Sequence, residues 1–238
     1  MTDEAATQAF EQLAEISAGR GGIYRILAEA FRDPNELTVK GLVDGTSAQS
    51  IDRSLDWLGT DRSIYDEAIG LVRRIGDQAA GGDPAKILQG LKVEYARLFI
   101  GPPRAVVQPY ASMHVAAAPS KERLLNIGGS VRTVEQMYRD AGVQVTTALR
   151  EPPDHISTEL EFLFYLCGKE QTAWSEGDNE DAREWRRRER EFVDEHLKDW
   201  GLKFFEAVAV AAAPDFYNAM ASLGSVFLRM ESGAFSPA

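Results

Sequence analysis

Apolar residues recur at helical spacing along most of this chain. Between Thr7 and Phe31 they fall at about every third or fourth position, and the same spacing returns after Asp61, after Pro84 and through the C-terminal third. A period near 3.6 predicts amphipathic helices, whereas strands need alternation at every second residue. The sequence shows no sustained alternation and no strand–helix–strand rhythm. It therefore predicts an all-α protein, a single irregular helical bundle of about eight to ten helices.

Chain length and composition favour one domain. With 238 residues, 44% of them hydrophobic, the chain can bury a full core and needs no second one. No segment repeats at a fixed period, which disfavours a helical solenoid. We expect one all-helical domain over residues 1–238, in which residues 1–18 form an N-terminal helical extension and residues 101–120 form a functional loop.

Glycine and proline mark the expected helix boundaries. Asp33-Pro34 ends the first helix, and the polar stretch 34–47 is expected to be a loop. Asp83 followed by Pro84 predicts an N-cap with proline at the first helical position. Three glycines inside the first helix indicate either a kink or close packing with another helix, namely Gly19, Gly21 and Gly22.

The stretch 101–120 is the least helical part of the chain. It contains four prolines and no convincing helical period. Loops of this length in compact domains are usually functional or disordered. Residues such as Tyr110 and Met113 tend to pack, which makes disorder the less attractive reading. A functional loop is therefore expected here.

The charge distribution argues against nucleic-acid binding. The net charge is −11, and a phosphate-binding surface needs a basic stripe. The basic cluster Arg183 to Arg190 is interleaved with Glu184, Glu189 and Glu191. Glu184 with Arg188, and Arg187 with Glu191, have the i,i+4 spacing of local ion pairs. This cluster is expected to be a solvated helix face.

Several other classes of protein are disfavoured. The N-terminus lacks a secretory pattern, and no apolar run approaches the roughly 20 residues of a membrane span, so we expect a cytoplasmic protein without membrane insertion. The single cysteine, Cys167, excludes an internal disulfide, and its place on an apolar stripe predicts a buried core thiol. No nucleophile elbow, phosphate-binding loop or dinucleotide fingerprint occurs, so we expect neither an enzyme nor a cofactor.

Asp154 and His155 are the strongest candidates for a binding site. They follow the pair Pro152-Pro153 and precede an apolar helical period, which predicts two polar side chains at a helix start where a ligand can reach them. Asp154 is expected to cap that helix, and capping leaves its second oxygen free for a ligand. His155 is expected to be solvated or ligand-facing.

One residue spacing in the sequence favours a metal site. His155 and Glu159 stand at i,i+4, and His196 or His114 could supply a third ligand. The paired Glu-x-x-His motifs of di-iron bundles do not occur, so we expect no metal. Glu159 and Glu161 lie on different sides of the helix, and at least one of them is expected at the surface.

Four motifs occur in the order and spacing of one known family. They are Glu94-Tyr95-x-Arg97-Leu98-Phe99-x-Gly101-Pro102, Pro109-Tyr110-x-Ser112, Glu151-Pro152-Pro153-Asp154-His155-Ile156-x-x-Glu159-Leu160-Glu161-Phe162 and His196-Leu197-x-x-Trp200. In these motifs the chain resembles the TorD/DmsD/NarJ family of redox-enzyme maturation chaperones. The resemblance covers roughly Tyr24 to Phe227.

The resemblance implies a cytoplasmic, all-helical chaperone. Such a protein binds the N-terminal leader of a molybdenum-cofactor oxidoreductase, often a twin-arginine signal peptide, or the apo form of that enzyme. It holds its client until the cofactor is inserted and so prevents premature export. The chaperone itself is expected to be a monomer or a homodimer.

The resemblance also implies which residues bind the peptide. Asp154 and His155 match the family's signal-peptide-binding motif, and Pro109 and Tyr110 match its proline-aromatic loop. The Asp154 carboxylate could pair with a leader arginine. The weaker candidates for the same site are Arg97 and Glu159.

A second function remains open at this point. A helical adaptor could bind a folded partner without any groove for a leader peptide. That alternative predicts that the loops around Tyr110 and Asp154 lie on opposite faces of the protein.

Overall fold

The part of the chain that the structure describes is mostly helical. A computed structural model describes residues 3–101, 104–114, 131–143, 151–213 and 215–233. The α-helices are α1 Asp3–Ala30, α2 Glu36–Val43, α3 Thr46–Leu58, α4 Asp66–Ala79, α5 Pro84–Tyr95, α6 Ala111–His114, α7 131–140, α8 Ile156–Glu176, α9 Asn179–Phe192, α10 Lys198–Ala211 and α11 Phe216–Glu231. A 3₁₀ turn, Arg62–Tyr65, precedes α4, and π-helical segments follow α5 (Ala96–Ile100) and α9 (Val193–Leu197).

The predicted all-α class is confirmed. The described ranges contain no strand, and their extended pairing is limited to an isolated antiparallel bridge between Tyr110 and His155. No helix in these ranges is long and apolar enough to cross a membrane.

Helices α1 and α8 form the centre of the bundle. They pack against each other, while α3 covers α1, α9 covers α8, and α10 pairs with α11. One cluster of buried side chains extends from Ile23 in α1 to Leu228 in α11. A smaller cluster joins Phe10 and Ala14, at the start of α1, to Trp174 of α8. Cys167 is fully buried on α8, so its predicted place in the core is confirmed.

The glycines of α1 permit close packing. The helix runs without interruption through all three. A Cβ on Gly19 would lie 2.7 Å from the Ser54 carbonyl oxygen of α3, and one on Gly22 would collide with the Ser54 side chain. Helix α3 therefore approaches α1 as closely as the two backbones allow.

The prediction of a loop over residues 34–47 is wrong for its central part, which forms α2. Asn35 caps this helix: its side chain accepts from the N–H groups of Leu37 at 2.8 Å and Thr38 at 3.3 Å. Thr38 reaches back to the Asn35 N–H at 3.3 Å and completes a capping box. The predicted cap at Asp83 is confirmed, because its carboxylate accepts from Ala85 N–H at 3.0 Å.

The charged face of α9 is solvated only in part. The predicted pairs form, with 2.8 Å between Arg188 and Glu184 and 2.6 Å between Arg187 and Glu191. The prediction is wrong for Glu189, which is fully buried and faces Arg20 of α1. Sequence spacing reveals local pairs and misses this distant one.

Arg20 is the centre of a buried ionic cluster that joins four helices. Its guanidinium contacts Glu170 of α8 and donates from Nε to both carboxylate oxygens of Glu189 on α9 at 3.1 Å. Arg186 donates to Glu189 at 2.7 Å and to Glu231 of α11 at 3.2 Å. Burial alone would raise the pKa of Glu189, but the two arginines lower it below its ordinary value.

We expect Arg20→Met to destabilise the protein strongly. The substitution leaves Glu170 and Glu189 buried without their main counter-ion, and breaking a buried ion pair in this way costs about 3–5 kcal/mol of the free energy of unfolding. Arg187→Met is the matched control, because Arg187 makes its ion pairs at the exposed surface of α9 and should matter little. Urea unfolding followed by circular dichroism measures both. Equal losses in the two variants would contradict the central role of Arg20.

Candidate functional site

A tight turn begins the segment that carries the candidate loop. Gly101 has a φ of 61°, and a Cβ there would collide with the Arg104 carbonyl, so only glycine fits. The chain then returns to the core, where Val107 N–H donates to the Leu98 carbonyl at 2.9 Å and Val107 is buried. The loop predicted over 101–120 thus packs in this part and contains α6. Residues 102, 103 and 115–120 lie outside the described ranges.

The loop docks on the chain that leads into α8. Ile156 N–H donates to the Pro109 carbonyl at 2.8 Å, and Ala111 N–H donates to the Asp154 carbonyl at 2.9 Å. Between these bonds, the rings of Tyr110 and His155 meet edge to face with 5.3 Å between centroids. The structure therefore brings together four of the predicted site residues, Pro109, Tyr110, Asp154 and His155.

Asp154 holds the loop and does not cap α8. It is only 3% exposed, and its Oδ2 accepts from Ser112 N–H in α6 at 3.1 Å. The N-cap of α8 is His155, whose Nδ1 accepts from Ser157 N–H at 3.2 Å. The predicted capping role of Asp154 is therefore wrong by one residue, because the carboxylate turns towards the neighbouring loop.

His155 is buried, contrary to the expectation of a solvated or ligand-facing ring. It is 1% exposed, and burial, together with the positive charge of Arg32, lowers its pKa to about 4. The ring is therefore neutral at pH 7. Because Nδ1 accepts a hydrogen bond, the proton is on Nε2. Nε2 lies 4.0 Å from Oε2 of Glu151, which is beyond hydrogen-bond reach.

Glu159 lies one turn further along α8 and is fully buried. Its carboxylate meets His196 Nε2 at 2.8 Å and accepts from Trp200 Nε1 at 3.2 Å. Burial raises the pKa of Glu159 to about 7, although the bond to His196 opposes the rise. Glu161 is the surface residue of the two, where it pairs with Arg32.

The three histidines considered for a metal do not converge. His196 bonds to Glu159, while His155 faces Glu151. His114 Nε2 lies 2.8 Å from the Gln108 carbonyl, and its ring packs against Trp200 with 5.5 Å between centroids. The described residues include no group of three or more side chains arranged to hold a metal ion.

Arg97 has different neighbours from the other predicted site residues. It is exposed, it forms a two-pronged pair with Glu94 at 2.6 and 2.7 Å, and it donates to the Ala211 carbonyl at 2.7 Å. These contacts attach the π-helical end of α5 to the end of α10. The other residues of the site are linked through the loop and the start of α8.

Sequence reasoning missed two features beside the docked loop. In the sequence, Asp33 is expected only to end α1, yet, after burial, the charge of Asp33 also raises the pKa of Glu151, while Arg32 opposes the rise. The second feature is the exposure of apolar side chains around the loop: Met113, which was expected to pack, is 41% exposed, and Val106 and Ile100 are 55% and 64% exposed. For Val106 and Met113, the available signal was their position in a proline-rich loop.

The raised pKa of Glu159 predicts a specific dependence of stability on pH. The folded state binds the proton of the Glu159 carboxyl more tightly than the unfolded chain does. The stabilisation that this proton gives to the folded state is therefore complete below pH 4.5 and is lost as the pH rises to 7. Relative to Glu159→Gln, the wild-type free energy of unfolding should fall by on the order of 3 kcal/mol over that interval. Chemical unfolding of both proteins at several pH values measures the difference. Parallel stability curves would contradict the raised pKa.

Comparison with known proteins identifies the family of this chain. A sequence model described as nitrate reductase delta subunit matches residues 66–206. The chain is 35% identical over 123 residues to the selenate reductase assembly chaperone protein of Thauera selenatis, a match that covers 51% of this chain and 59% of the relative. It is 29% identical over 142 residues to the chaperone protein TorD of Vibrio parahaemolyticus, covering 60% and 62%.

A further relative matches over nearly its full length. The chaperone protein TorD of Shewanella pealeana is 24% identical over 225 residues, which is 94% of this chain and 92% of the relative. The chain spans about three fifths of the first two relatives that it matches. Because the family model covers more than half of the chain, this protein belongs to the nitrate reductase delta subunit family, the NarJ/TorD family that its motifs resemble.

Proposed function

We propose that this protein is a cytoplasmic maturation chaperone for a molybdenum-cofactor oxidoreductase. It binds the N-terminal leader of its client, or the apoenzyme that carries it, assists cofactor insertion and delays export. Membership of the family supports this proposal, since the relatives are named as chaperones and assembly proteins and none of those names describes a catalyst. The protein acts by holding its client and performs no reaction on it.

The docked loop is the observation that carries the proposal. It presents exposed apolar side chains, Ile100, Val106 and Met113, beside the partly exposed ring of Tyr110. A leader peptide has an apolar stretch that needs such a surface. Methionine suits this purpose because its flexible side chain adapts to different partners. The apolar part of the leader therefore lies along this rim.

The predicted site residues divide into two roles under this proposal. Tyr110 and Arg97 stand at the surface and contact the peptide directly. Pro109, Asp154 and His155 hold the loop in place through the bonds that join it to α8. Glu159 fixes the first turns of α8 to the π-helical segment that carries His196.

The adaptor alternative loses its distinguishing feature. It required the loops around Tyr110 and Asp154 to lie on opposite faces. Instead, the rings of Tyr110 and His155 are in contact, and Ala111 N–H donates to the Asp154 carbonyl. We propose that the whole chain works as one domain, with the leader site at one end of α8.

We expect Met113→Ser to weaken the binding of a synthetic twin-arginine leader peptide about tenfold, because apolar area buried in the complex is lost. Trp57→Ser is the matched control, since Trp57 is 38% exposed on α3, which packs against α1, α2 and α4. It should bind as the wild type does. Isothermal titration calorimetry measures the three affinities. Wild-type protein that does not bind the peptide would refute the proposed function, and equal losses in both variants would refute the location of the site.

Two substitutions of Asp154 test its role as a holding residue. Asp154→Asn keeps an oxygen that can accept from Ser112 N–H, so we expect leader affinity and melting temperature close to those of the wild type. Asp154→Ala leaves that N–H without its partner, which should cost about 1–3 kcal/mol of stability and weaken leader binding. Calorimetry and thermal melts measure both variants. A loss of tenfold or more in Asp154→Asn alone would show instead that the charge of Asp154 contacts the leader directly.

A further inference from the structure

The buried carboxyl of Glu159 is joined to the docked loop through a tryptophan. The docked loop is residues 104–114, and α6 forms its last turn. Trp200 of α10 donates from Nε1 to Glu159 at 3.2 Å, and its ring packs against the ring of His114 with 5.5 Å between centroids. Trp200 is therefore in contact both with a buried titratable group and with the loop.

A second support of the loop comes from the chain before α8. Ser112 N–H donates to the Asp154 carboxylate at 3.1 Å, and Ala111 N–H donates to the Asp154 carbonyl at 2.9 Å. Asp154 directly precedes the turn in which Glu159 N–H donates to the His155 carbonyl at 3.1 Å. The two residues that support α6, Trp200 and Asp154, thus both lie next to Glu159.

The loop is attached to the bundle by a small number of contacts. His114 Nε2 donates to the Gln108 carbonyl at 2.8 Å, which closes the loop on itself, and Val107 N–H donates to the Leu98 carbonyl at 2.9 Å. Segments attached in this way open locally at a lower free energy than the whole domain unfolds. The loop can therefore respond to a change beneath it while the helices stay folded.

The groups that face Glu159 come from four parts of the fold. His196, in the π-helical segment after α9, meets its carboxylate at 2.8 Å, and Trp200 faces it from α10. Asp154 faces it from the chain before α8, and the charge of Glu159, after burial, raises the pKa of Tyr138 on α7. Among these groups, His196 is the one that can carry a positive charge.

Opening of the loop changes the surroundings of Glu159 in two ways. It uncovers the ring of Trp200, which brings water closer to the carboxyl bonded to it, and it frees the Asp154 carboxylate from Ser112. Burial and, to a smaller extent, the charge of Asp154 are what raise the pKa of Glu159, so both changes make its charged form less costly. By linkage, ionisation of Glu159 favours the open loop to the same extent.

We propose that the docked loop is held closed while Glu159 carries a proton and opens as Glu159 ionises, with Trp200 and His114 as the residues that connect the two events. The closed loop binds the proton more tightly, so closure is favoured at low pH and is lost as the pH rises. Because the pKa of Glu159 is about 7, the change falls close to neutral pH. The inference does not depend on leader binding.

Amide hydrogen exchange followed by mass spectrometry tests this proposal. Exchange of residues 104–114 is measured at pH 6, 7 and 8 in the wild type and in Glu159→Gln, whose amide oxygen still accepts from Trp200 but whose side chain does not ionise. Comparison of the two proteins at equal pH cancels the chemical effect of pH on exchange. Helix α3 is the internal control, because it packs on α1, away from the loop. The ratio of loop to α3 within the wild type gives the same comparison without any substitution.

The expected result is a pH-dependent opening confined to the loop. Relative to Glu159→Gln, exchange of the wild-type loop should rise between pH 6 and 8, by about tenfold if opening restores the ordinary pKa of Glu159. Exchange of α3 should be alike in both proteins. Trp200→Phe should move the rise to higher pH, because the carboxylate loses a donor that stabilises its charge. His114→Ala should increase exchange of the loop at all three pH values.

Three results would overturn the proposal. A wild-type to Glu159→Gln ratio that stays constant from pH 6 to 8 means that ionisation of Glu159 does not act on the loop. An equal rise in α3 means that the whole domain opens. An unshifted rise in Trp200→Phe, or unchanged exchange in His114→Ala, means that these rings do not connect Glu159 to the loop. Each of these results leaves the proposed leader binding intact, which calorimetry tests separately.

Discussion

The buried contact between Arg20 and the glutamates of three other helices is the constraint on which the bundle depends. Hydrophobic attraction has no preferred direction, whereas charges buried away from water must meet counter-ions at fixed positions. Glu170, Glu189 and Glu231 reach Arg20 from α8, α9 and α11. The cluster therefore fixes how far each of these helices is displaced along α1. Close approach of α3 at the glycines of α1 fixes the opposite side.

The position of α8 in this framework decides what its first turn can do. The helix begins at the end of the bundle where the chain from α5 returns, so the loop meets the residues before Ile156. Two backbone hydrogen bonds and the Asp154 carboxylate then attach the loop, and Glu159 attaches the same turn to His196 and Trp200. Polar groups that would be expensive to bury alone are thus paired with one another. The surface left to a partner includes the exposed apolar side chains of Ile100, Val106 and Met113.

The sequence predicted the parts of this fold that depend on local pattern. Helical periods identified the long helices, and Asp83 with Pro84 marked a start, because an apolar stripe and a cap are readable within a few residues. Helix α2 was missed because its signal is short, a capping box at Asn35 followed by only two buried side chains. Glu189 was misplaced because its partner Arg20 lies 169 positions away in the chain. Spacing rules relate only residues a few positions apart along one helix.

The site shows the same division between local and distant signals. The motifs led to Pro109, Tyr110, Asp154 and His155, and these residues do lie together. Their exposure could not be read from the motifs, because it depends on a loop more than 40 residues away from α8 in sequence. The N-cap of α8 is His155 and not the predicted Asp154 for the same reason, since the Asp154 carboxylate accepts a hydrogen bond from Ser112 N–H. The effect of the Asp33 charge on the pKa of Glu151 arises only through the tertiary fold.

The burial of Cys167 makes the protein convenient for site-specific labelling. Its thiol lies between α8 and α1, where a Cβ on Gly21 would be 3.1 Å from the Cβ of Cys167. Burial raises the pKa of this thiol well above its ordinary value, so the reactive thiolate is suppressed in the folded state. A maleimide dye therefore has no native target in the chain. A cysteine introduced beside Ile100, Val106 or Met113 can therefore carry a fluorophore without prior removal of Cys167. The emission of that fluorophore then reports the polarity of its surroundings on this surface.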